Sequence, residues 1–316
     1  MKPTLLLLFF FQVFFAYAQK DTVYFSNEVY PTSNIKEAKF YSLTPIAEQG
    51  EITLFDLKSN AKFLTYKYEK PIKQDFLIRD GDATYFYPNG NIQTKGFFKN
   101  GAKVGEWQEF YESSKPKEIV KYDSKMNISG FNQTHLFNYQ VVAYWDNLGN
   151  KSVDNGEGLY FYRDSLTVLT ANIKKGVPDG ICKGTYRNNS FIEQYKKGEL
   201  QKGEIVESGN KITYDKINEY ATFHGGIEAM YQFIASNLKY PATAQRYNKQ
   251  GKVFIKFLIK KDGSITNITV LKGFYEDCDT EAVRVIKLMD GNWDSGKVRG
   301  IKEDVLFTMP VSFVLE

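Results

Sequence analysis

The sequence has few of the residues from which metal centres, disulfide frameworks and catalytic clusters are built. Its 316 residues include two cysteines, two histidines and nine prolines. His135 and His224 lie far apart in the chain, so neither belongs to a histidine/cysteine pattern of the kind that binds zinc. Cys182 and Cys278 are also far apart in the chain, and we expect two free, partly buried thiols. No serine occupies a nucleophile-elbow motif, so the sequence predicts no catalytic residue, no cofactor and no metal site.

The chain also lacks a strong excess of one charge. Lysine and arginine number 41 and aspartate and glutamate 37, which gives a formal net charge of +4. Charges of both signs are mixed along the chain, which is typical of a solvated surface and not of a nucleic-acid-binding stripe. No nucleic-acid partner is therefore expected.

Long apolar runs are absent beyond the first residues, which read "MKPTLLLLFFFQVFFAYAQK". Lys2 precedes an apolar stretch from Leu5 to Phe15, and Ala16-Tyr17-Ala18 offers small residues at a cleavage site. This order predicts a secretory signal peptide over residues 1–18. The alternative is an uncleaved membrane anchor, but a spanning helix needs about 20 apolar residues. The mature form is expected to have no transmembrane helix.

Aromatic residues are abundant, at 16% of the chain, and many of them recur at a fixed spacing. Four glycines are each followed six residues later by a tyrosine: Gly81 and Tyr87, Gly105 and Tyr111, Gly156 and Tyr162, Gly180 and Tyr186. Each unit reads as strand, turn, strand, and in the first unit Asn89-Gly90 supplies the asparagine-glycine turn that favours a tight hairpin. Stacked hairpins can bury a shared aromatic stripe, which explains a fixed period.

The repeat resembles the variant MORN repeat of exported bacterial proteins. The residues that carry the resemblance are Tyr87, Asn89, Gly90, Gly96, Asn100, Gly101, Gly105, Trp107 and Tyr111. The resemblance implies a meandering single-layer sheet without chemistry of its own. The aromatic residues are expected to serve core packing, and a binding face for a polysaccharide or a partner is the alternative.

The C-terminal region changes to a helical period. Apolar residues recur on one predicted stripe at Ile227, Met230, Tyr231, Ile234 and Leu238. Pro241 ends this helix, and a short helix is expected over residues 242–246. Val253, Ile255, Phe257 and Ile259 then alternate with less apolar residues, as in a half-buried strand.

The remaining pattern predicts a hairpin, a helix and a last strand. Asp262-Gly263 marks a turn, after which Ile265 to Leu271 returns as the second strand. Asp279 can cap a helix whose buried side is Ala282, Val285, Ile286 and Met289. Val305 to Leu315 is the third strand, in which Pro310 favours an edge position; such an edge can accept an added strand, or Pro310 can protect it from pairing. Two helices would then cover one side of a three-stranded antiparallel sheet.

This order resembles the C-terminal domain of TonB, the periplasmic adaptor of outer-membrane nutrient import. The pieces that match are Tyr240-Pro241, Gln250-Gly251-Lys252-Val253, Asp262-Gly263, Asp279, Glu281-Ala282, Trp293 and Met309-Pro310-Val311. The resemblance implies that the domain captures a short extended segment of an outer-membrane transporter or envelope protein by adding it to a sheet edge. It places the partner-binding residues at Tyr240, Pro241, Val305, Phe307, Met309, Pro310 and Val311.

The sequence also departs from the TonB pattern. The N-terminal apolar segment has no histidine, and no proline-rich linker follows it. What the resemblance still implies is a peptide-binding module, in a periplasmic binding protein of a Gram-negative bacterium that takes part in transmembrane transport. Anchoring in the inner membrane through an uncleaved N-terminus is the alternative location. The alternative function is an envelope scaffold, in which the repeats bind polymer or protein and the C-terminal domain forms a homodimer.

The predicted organisation has five segments. They are a signal peptide (1–18), an N-terminal β segment (19–78) for which a degenerate repeat is one interpretation, a MORN-like repeat sheet (79–203), a linker (204–222) and a TonB-like α+β domain (223–316). The fold class is thus mainly β in the N-terminal repeat region, with stacked β-hairpins, and α+β in the C-terminal domain.

Overall fold

The computed structural model describes residues 22–26, 31–32, 36, 38–43, 46–69, 77–123 and 138–315. The predicted signal peptide lies outside these residues. The chain divides into two compact units. The first contains Met1–Asn132, Phe137–Tyr162 and Leu169–Gly180, and the second contains Gln133–Leu136, Arg163–Val168 and Ile181–Glu316.

Strands dominate up to residue 223, and in the described residues α-helices occur only beyond it. The strands are β1 (Val23–Phe25), β2 (Pro31–Thr32), β3 (Phe40–Ser42), β4 (Gln49–Asp56), β5 (Lys62–Glu69), β6 (Ile78–Phe86), β7 (Ile92–Lys99), β8 (Ala102–Phe110), β9 (Pro116–Tyr122), β10 (Gln140–Trp145), β11 (Lys151–Asp154), β12 (Glu157–Arg163), β13 (Thr167–Lys174), β14 (Val177–Tyr186), β15 (Asn189–Lys196), β16 (Glu199–Glu207), β17 (Asn210–Tyr214), β18 (Asn218–Glu219), β19 (Thr222–Phe223), β20 (Gly251–Ile259), β21 (Ile265–Lys272), β22 (Trp293–Asp294), β23 (Gly296–Val298), β24 (Ile301–Glu303) and β25 (Val305–Phe313). The helices are α1 (Gly226–Asn237), α2 (Ala242–Arg246) and α3 (Glu276–Lys287). None of these helices is both long and apolar enough to span a membrane.

The N-terminal region is a long sheet of consecutive strands, as the repeat pattern predicts. From β3 to β12 of the first unit, each strand pairs antiparallel with the next along the chain. Alternate residues supply one buried cluster, which includes Ile52, Leu54, Leu64, Tyr66, Phe98, Trp107 and Val120. One face of the strands therefore carries the aromatic core, as period-two alternation requires.

The repeated Gly-to-Tyr spacing has a physical basis in the structure. All four repeat glycines have a positive φ, from 66° at Gly105 to 117° at Gly81. At Gly156 a Cβ would also lie 2.7 Å from the backbone nitrogen of Gly176, so only glycine fits there. The tyrosines form hydrogen bonds between successive hairpins. The Tyr87 hydroxyl donates to the Phe110 carbonyl oxygen at 2.8 Å. The Tyr111 hydroxyl repeats this contact with the Trp145 carbonyl oxygen at 2.8 Å.

A half-buried carboxyl group, that of Glu118, lies within the sheet of the first unit. Glu118 of β9 is directly opposite Glu109 of β8, and the Tyr160 hydroxyl donates to its Oε2 at 2.5 Å. Burial, followed by the hydrogen bond to Glu109 and the repulsion from it, raises the pKa of Glu118 to about 7, while the hydrogen bond from Tyr160 acts in the opposite direction. The Lys117 Nζ forms an ion pair with Glu109 Oε1 at 2.7 Å, so the charge of Lys117 offsets that of Glu109.

This arrangement predicts a pH-dependent gain in stability from Glu118→Gln. The pKa of Glu118 rises from 4.5 to about 7 on folding, so the native state prefers the protonated form. Its stabilising contribution is complete below pH 4.5 and is lost as the pH rises through 7. The neutral glutamine should therefore raise the free energy of unfolding by about 2–3 kcal/mol at pH 8 and change it little at pH 4. Urea unfolding at both pH values measures this difference.

Glu106→Gln is the matched control, because Glu106 lies on neighbouring β8 with an exposed side chain. It should change stability by less than about 0.5 kcal/mol at either pH. An equal effect of Glu118→Gln at pH 4 and pH 8 would contradict the proposed proton linkage.

The C-terminal part of the second unit has the predicted α+β fold. Its three-stranded antiparallel sheet has the order β21-β20-β25. The predicted turn closes β20 and β21, with the Lys260 N–H donating to the Ser264 carbonyl oxygen at 2.8 Å. The core of this fold is apolar and fully enclosed, and it includes Val253, Ile255, Phe257, Ile259, Ala282, Val285, Ile286 and Met289.

Two local expectations for the helices are wrong. On α1 the structure buries Met230 and Ile234 but leaves Ile227 61% and Tyr231 51% exposed, because the buried side is shifted toward Phe233, which packs on Phe223 at 5.6 Å. Helix α3 begins at Glu276, so Asp279 lies inside its first turn and does not cap it. Asp279 instead accepts a hydrogen bond from the Phe274 N–H at 3.2 Å.

A buried ion pair lies elsewhere in the second unit. Glu193 of β15 and Arg299, in the turn between β23 and β24, are joined by a 2.8 Å contact from Nε to Oε1, and their side chains are 0% and 5% exposed. The hydroxyls of Tyr214 and Tyr195 also donate to Glu193, at 2.7 and 3.1 Å. The Arg299 guanidinium stacks 4.2 Å above the Phe191 ring. Strand β15 and the β23–β24 turn are therefore held in one core.

Both cysteines belong to this unit, and both are free and buried. Burial raises the pKa of the Cys182 thiol far above its ordinary value.

The segment predicted as a linker, residues 204–222, contains secondary structure. It includes the end of β16, all of β17 and β18, and the first residue of β19.

Candidate functional site

Strand β25 is an edge of the three-stranded sheet. It pairs with β20 over nine consecutive residues, from Val305 opposite Ile259 to Phe313 opposite Gly251, without a register shift. In the described chain, no other strand pairs with β25. Its second side therefore carries backbone groups that no neighbouring strand occupies.

Pro310 shows which backbone groups face the open side. It stands in the middle of the regular ladder, opposite Phe254. A proline has no N–H, so a regular ladder tolerates it only where its nitrogen points away from the partner strand. Successive residues of a strand direct their N–H and C=O groups to opposite sides. The N–H groups of Leu306, Thr308 and Ser312 therefore face the open edge together with the position of Pro310.

The opposite edge of the same sheet is irregular. The pairing of β20 with β21 shifts register between Phe254 and Ile255 and again between Lys256 and Leu258. Asn267 of β21 has a positive φ of 54°. Bulges twist an edge and interrupt its row of backbone groups, which makes it a poor template for another strand. Of the two edges, β25 is thus the one with regular strand geometry.

Both ends of β25 are fixed by side chains. At its start, Asp304 forms an ion pair with Lys260 and accepts the Lys261 N–H at 3.0 Å. The hydrogen bond from Lys260 holds the pKa of Asp304 below its usual value. At its end, the ring of Phe313 packs edge-on against Tyr240 at 5.5 Å. The Tyr240 hydroxyl in turn donates to the Lys249 carbonyl oxygen at 2.6 Å.

The structure thus brings Tyr240 and β25 together, but the predicted site residues differ in what they expose. Met309 and Val311 are buried at 3% and 1% exposure; Val305 and Phe307 pack against the same core. Their side chains point to the helices, and by the same alternation their N–H and C=O groups face β20. These four residues therefore hold the edge strand in place, and they offer no backbone group to a strand on its open side. Pro310 is exposed on the other face of the sheet, while Tyr240 and Pro241 are partly exposed.

The arrangement supports binding by backbone pairing. A row of unpaired N–H and C=O groups accepts an extended peptide as an additional strand. Among the described residues, no group of three His, Cys, Asp or Glu side chains is placed to hold a metal ion.

Sequence reasoning missed two features of the second unit. The Glu193–Arg299 pair joins residues that are far apart in the chain, and no local spacing connects them. The second feature is the solvent face of the three-stranded sheet. The sequence indicates only the part of this face that belongs to β20, since Lys252, Phe254 and Lys256 alternate with core residues. The register that adds Lys272 and Pro310 to this face becomes known only from the structure.

Comparison with known proteins identifies two kinds of segment in the chain. Residues 236–315 match the family described as Gram-negative bacterial TonB protein C-terminal. Residues 79–100 and 103–124 match the MORN repeat variant. No curated protein matches the chain.

The chain is also similar to solved structures of a TonB C-terminal domain. Two are NMR solution structures of the Helicobacter pylori TonB-CTD, each with 26% sequence identity. The longer one covers 28% of this chain and 78% of its own, with a TM-score of 0.22. The shorter one covers 28% of this chain and 90% of its own, with a TM-score of 0.23. The family matches confirm both resemblances inferred from the sequence: the chain joins variant MORN repeats to a C-terminal segment of the TonB type.

Proposed function

We propose that this protein is a non-enzymatic binding protein of the bacterial envelope that recognises an extended peptide segment by adding it to the open edge of β25. The segment belongs to an outer-membrane transporter or another envelope protein, and the protein acts in the periplasm in transmembrane transport. The observation that carries this proposal is the uninterrupted nine-residue pairing of β25 on one side, with no strand of the described chain on the other.

The match of residues 236–315 to the TonB C-terminal family supports the same role. The physical chemistry agrees with it as well. The carbonyl oxygens of an incoming strand would accept hydrogen bonds from the outward N–H groups of Leu306, Thr308 and Ser312. The N–H groups of the incoming strand that face β25 would donate to the outward carbonyl oxygens of β25. Since side chains contribute little to such backbone pairing, the affinity should depend mainly on the ladder.

Thr308→Pro tests this mechanism, because it removes one outward N–H from the middle of the edge. Binding of extended peptides from the N-termini of outer-membrane transporters should weaken about five- to tenfold, which corresponds to the loss of about one hydrogen bond. The Thr308 side chain is exposed and its N–H does not face β20, so the domain should remain folded. Titration of the full-length protein with labelled peptides, followed by fluorescence anisotropy, measures the change.

Thr308→Val is the matched control, since it changes the side chain and keeps the N–H. It should bind as the parent does. Pro310→Thr provides the converse, because it adds an outward N–H and should tighten binding or promote self-association through β25. If Thr308→Pro binds the peptides as well as Thr308→Val does, the edge mechanism is wrong. A parent protein that forms a dimer lost in Thr308→Pro, without peptide binding, would favour the scaffold alternative.

A further inference from the structure

The solvent face of the three-stranded sheet carries an aromatic residue surrounded by lysines. Phe254 is 36% exposed at the centre of β20, with Lys252 and Lys256 two residues away on the same face. Across the strands, it lies opposite Lys272 of β21 and Pro310 of β25. Directly opposite residues are about 5 Å apart and same-face residues along a strand about 7 Å apart. We call these five residues the Phe254 patch.

The charge of the Phe254 patch is uncompensated. Strands β20, β21 and β25 contain three lysines, all in the patch, and no aspartate or glutamate. In the ranges that the structure describes, none of these lysines forms an ion pair. The acidic first turn of α3 belongs to the helix layer on the other face. The patch is therefore positively charged as well as partly apolar.

The surroundings of the patch extend its apolar character toward the open edge. Leu306 of β25 is 61% exposed and lies opposite Leu258 on the same face. An aromatic centre with a polar rim is the usual anatomy of a protein-binding surface. Like-charged lysines around one ring repel each other, and a carboxylate-bearing partner would relieve this repulsion.

We propose that the Phe254 patch docks an acidic region of the same envelope protein that supplies the strand. This inference rests on the proposed function, because a strand added to β25 continues the sheet and presents alternate side chains on the face of the patch. Because neighbouring strands lie about 4.8 Å apart, the added strand would lie about 10 Å from β20, with β25 between them. Long acidic side chains at those alternate positions would reach over Thr308 and Ser312 toward Lys256 and Lys252, while an apolar residue between them would lie beside Pro310, next to Phe254. The partner segment is thus predicted to be extended and acidic on one face.

The test compares two synthetic peptides on the full-length protein. Both are ten-residue extended peptides of alternating valine and threonine, one with two glutamates and the other with two glutamines on the threonine face. The parent protein should bind the glutamate peptide at least fivefold more tightly, and this preference should fall as salt is added. Lys252→Gln/Lys256→Gln/Lys272→Gln should bring the affinity for the glutamate peptide down to that for the glutamine peptide.

Lys216→Gln/Lys287→Gln/Lys302→Gln is the matched control, because it removes the same number of charges from exposed lysines of the same unit. It should keep most of the preference for the glutamate peptide. Equal effects of the two triple variants, or no preference in the parent, would overturn the docking proposal. Thr308→Pro distinguishes a failure of the edge mechanism from a failure of the patch proposal. If it weakens both peptides while the patch variant has no selective effect, the edge mechanism stands and the patch proposal falls; if neither peptide depends on Thr308, the edge mechanism falls.

Discussion

Arg299→Met is expected to destabilise the second unit by about 3–5 kcal/mol. The substitution removes the only cation within ion-pairing distance of Glu193 in the described chain and keeps a side chain of similar length. Glu193 is fully buried, so an uncompensated carboxylate would remain in the core, which is costly. The loss of stability should therefore exceed the net value of the ion pair itself.

The experiment can separate the buried charge from lost packing. Amide hydrogen exchange reports the opening of β15 and of β23–β24 without relying on two-state unfolding of the whole chain. Glu193→Gln/Arg299→Met is the control, because it removes both charges and leaves the glutamine able to accept bonds from Tyr195 and Tyr214. This double variant should recover about half of the lost stability. If it is less stable than Arg299→Met, the destabilisation does not come from the unpaired carboxylate.

Gly96→Ala is expected to destabilise the first unit by about 3 kcal/mol. A Cβ at this position would lie 2.3 Å from the indole of Trp107, which packs over the glycine from the neighbouring strand. Trp107 is 2% exposed, its Nε1 donates to the Phe97 carbonyl oxygen at 3.2 Å, and it packs edge-on against Phe98 at 5.0 Å. The ring therefore has no free space to move into, and overpacking must displace a strand.

Gly50→Ala is the matched control for Gly96→Ala. Gly50 also lies in a strand, but the nearest atom to its added Cβ would be the Tyr68 hydroxyl oxygen at 3.6 Å, an ordinary contact distance. We expect its free energy of unfolding to change by less than about 0.5 kcal/mol. Thermal and urea unfolding, monitored by tryptophan fluorescence, compare the two variants. Equal stability of the two would show that the indole shifts without cost.

Much of the fold follows from local pattern. The fixed spacing of Gly81, Gly105, Gly156 and Gly180 predicts the hairpins, since each marks a positive φ that other residues avoid. The alternation in β20 predicts its buried face, and Pro310 predicts an edge. The second helix was predicted within its observed bounds, Ala242–Arg246.

Other features depend on tertiary contacts that no local pattern encodes. The apolar stripe of α1 predicted burial of Ile227 and Tyr231, but the helix turns Phe233 toward Phe223 instead. The sequence predicts the site residues on β25 as one group, but strand alternation places the side chains of Met309 and Val311 in the core and that of Pro310 in solvent. The Phe254 patch requires the register of three strands, and the Glu193–Arg299 pair requires residues from distant parts of the chain to meet.

The Glu193–Arg299 pair also has a consequence for exchanging parts between related proteins. The segment that matches the TonB family begins at residue 236, so Arg299 lies inside it and Glu193 outside. A chimera in which another TonB-type segment replaced residues 236–315 would keep Glu193 and lose Arg299. Glu193 would then lack its ion-pair partner unless the donor carried an arginine at the corresponding turn. A transplant that begins at Ile181, where the second unit resumes, would carry both partners. The smallest interchangeable piece of this protein is thus longer than the family match.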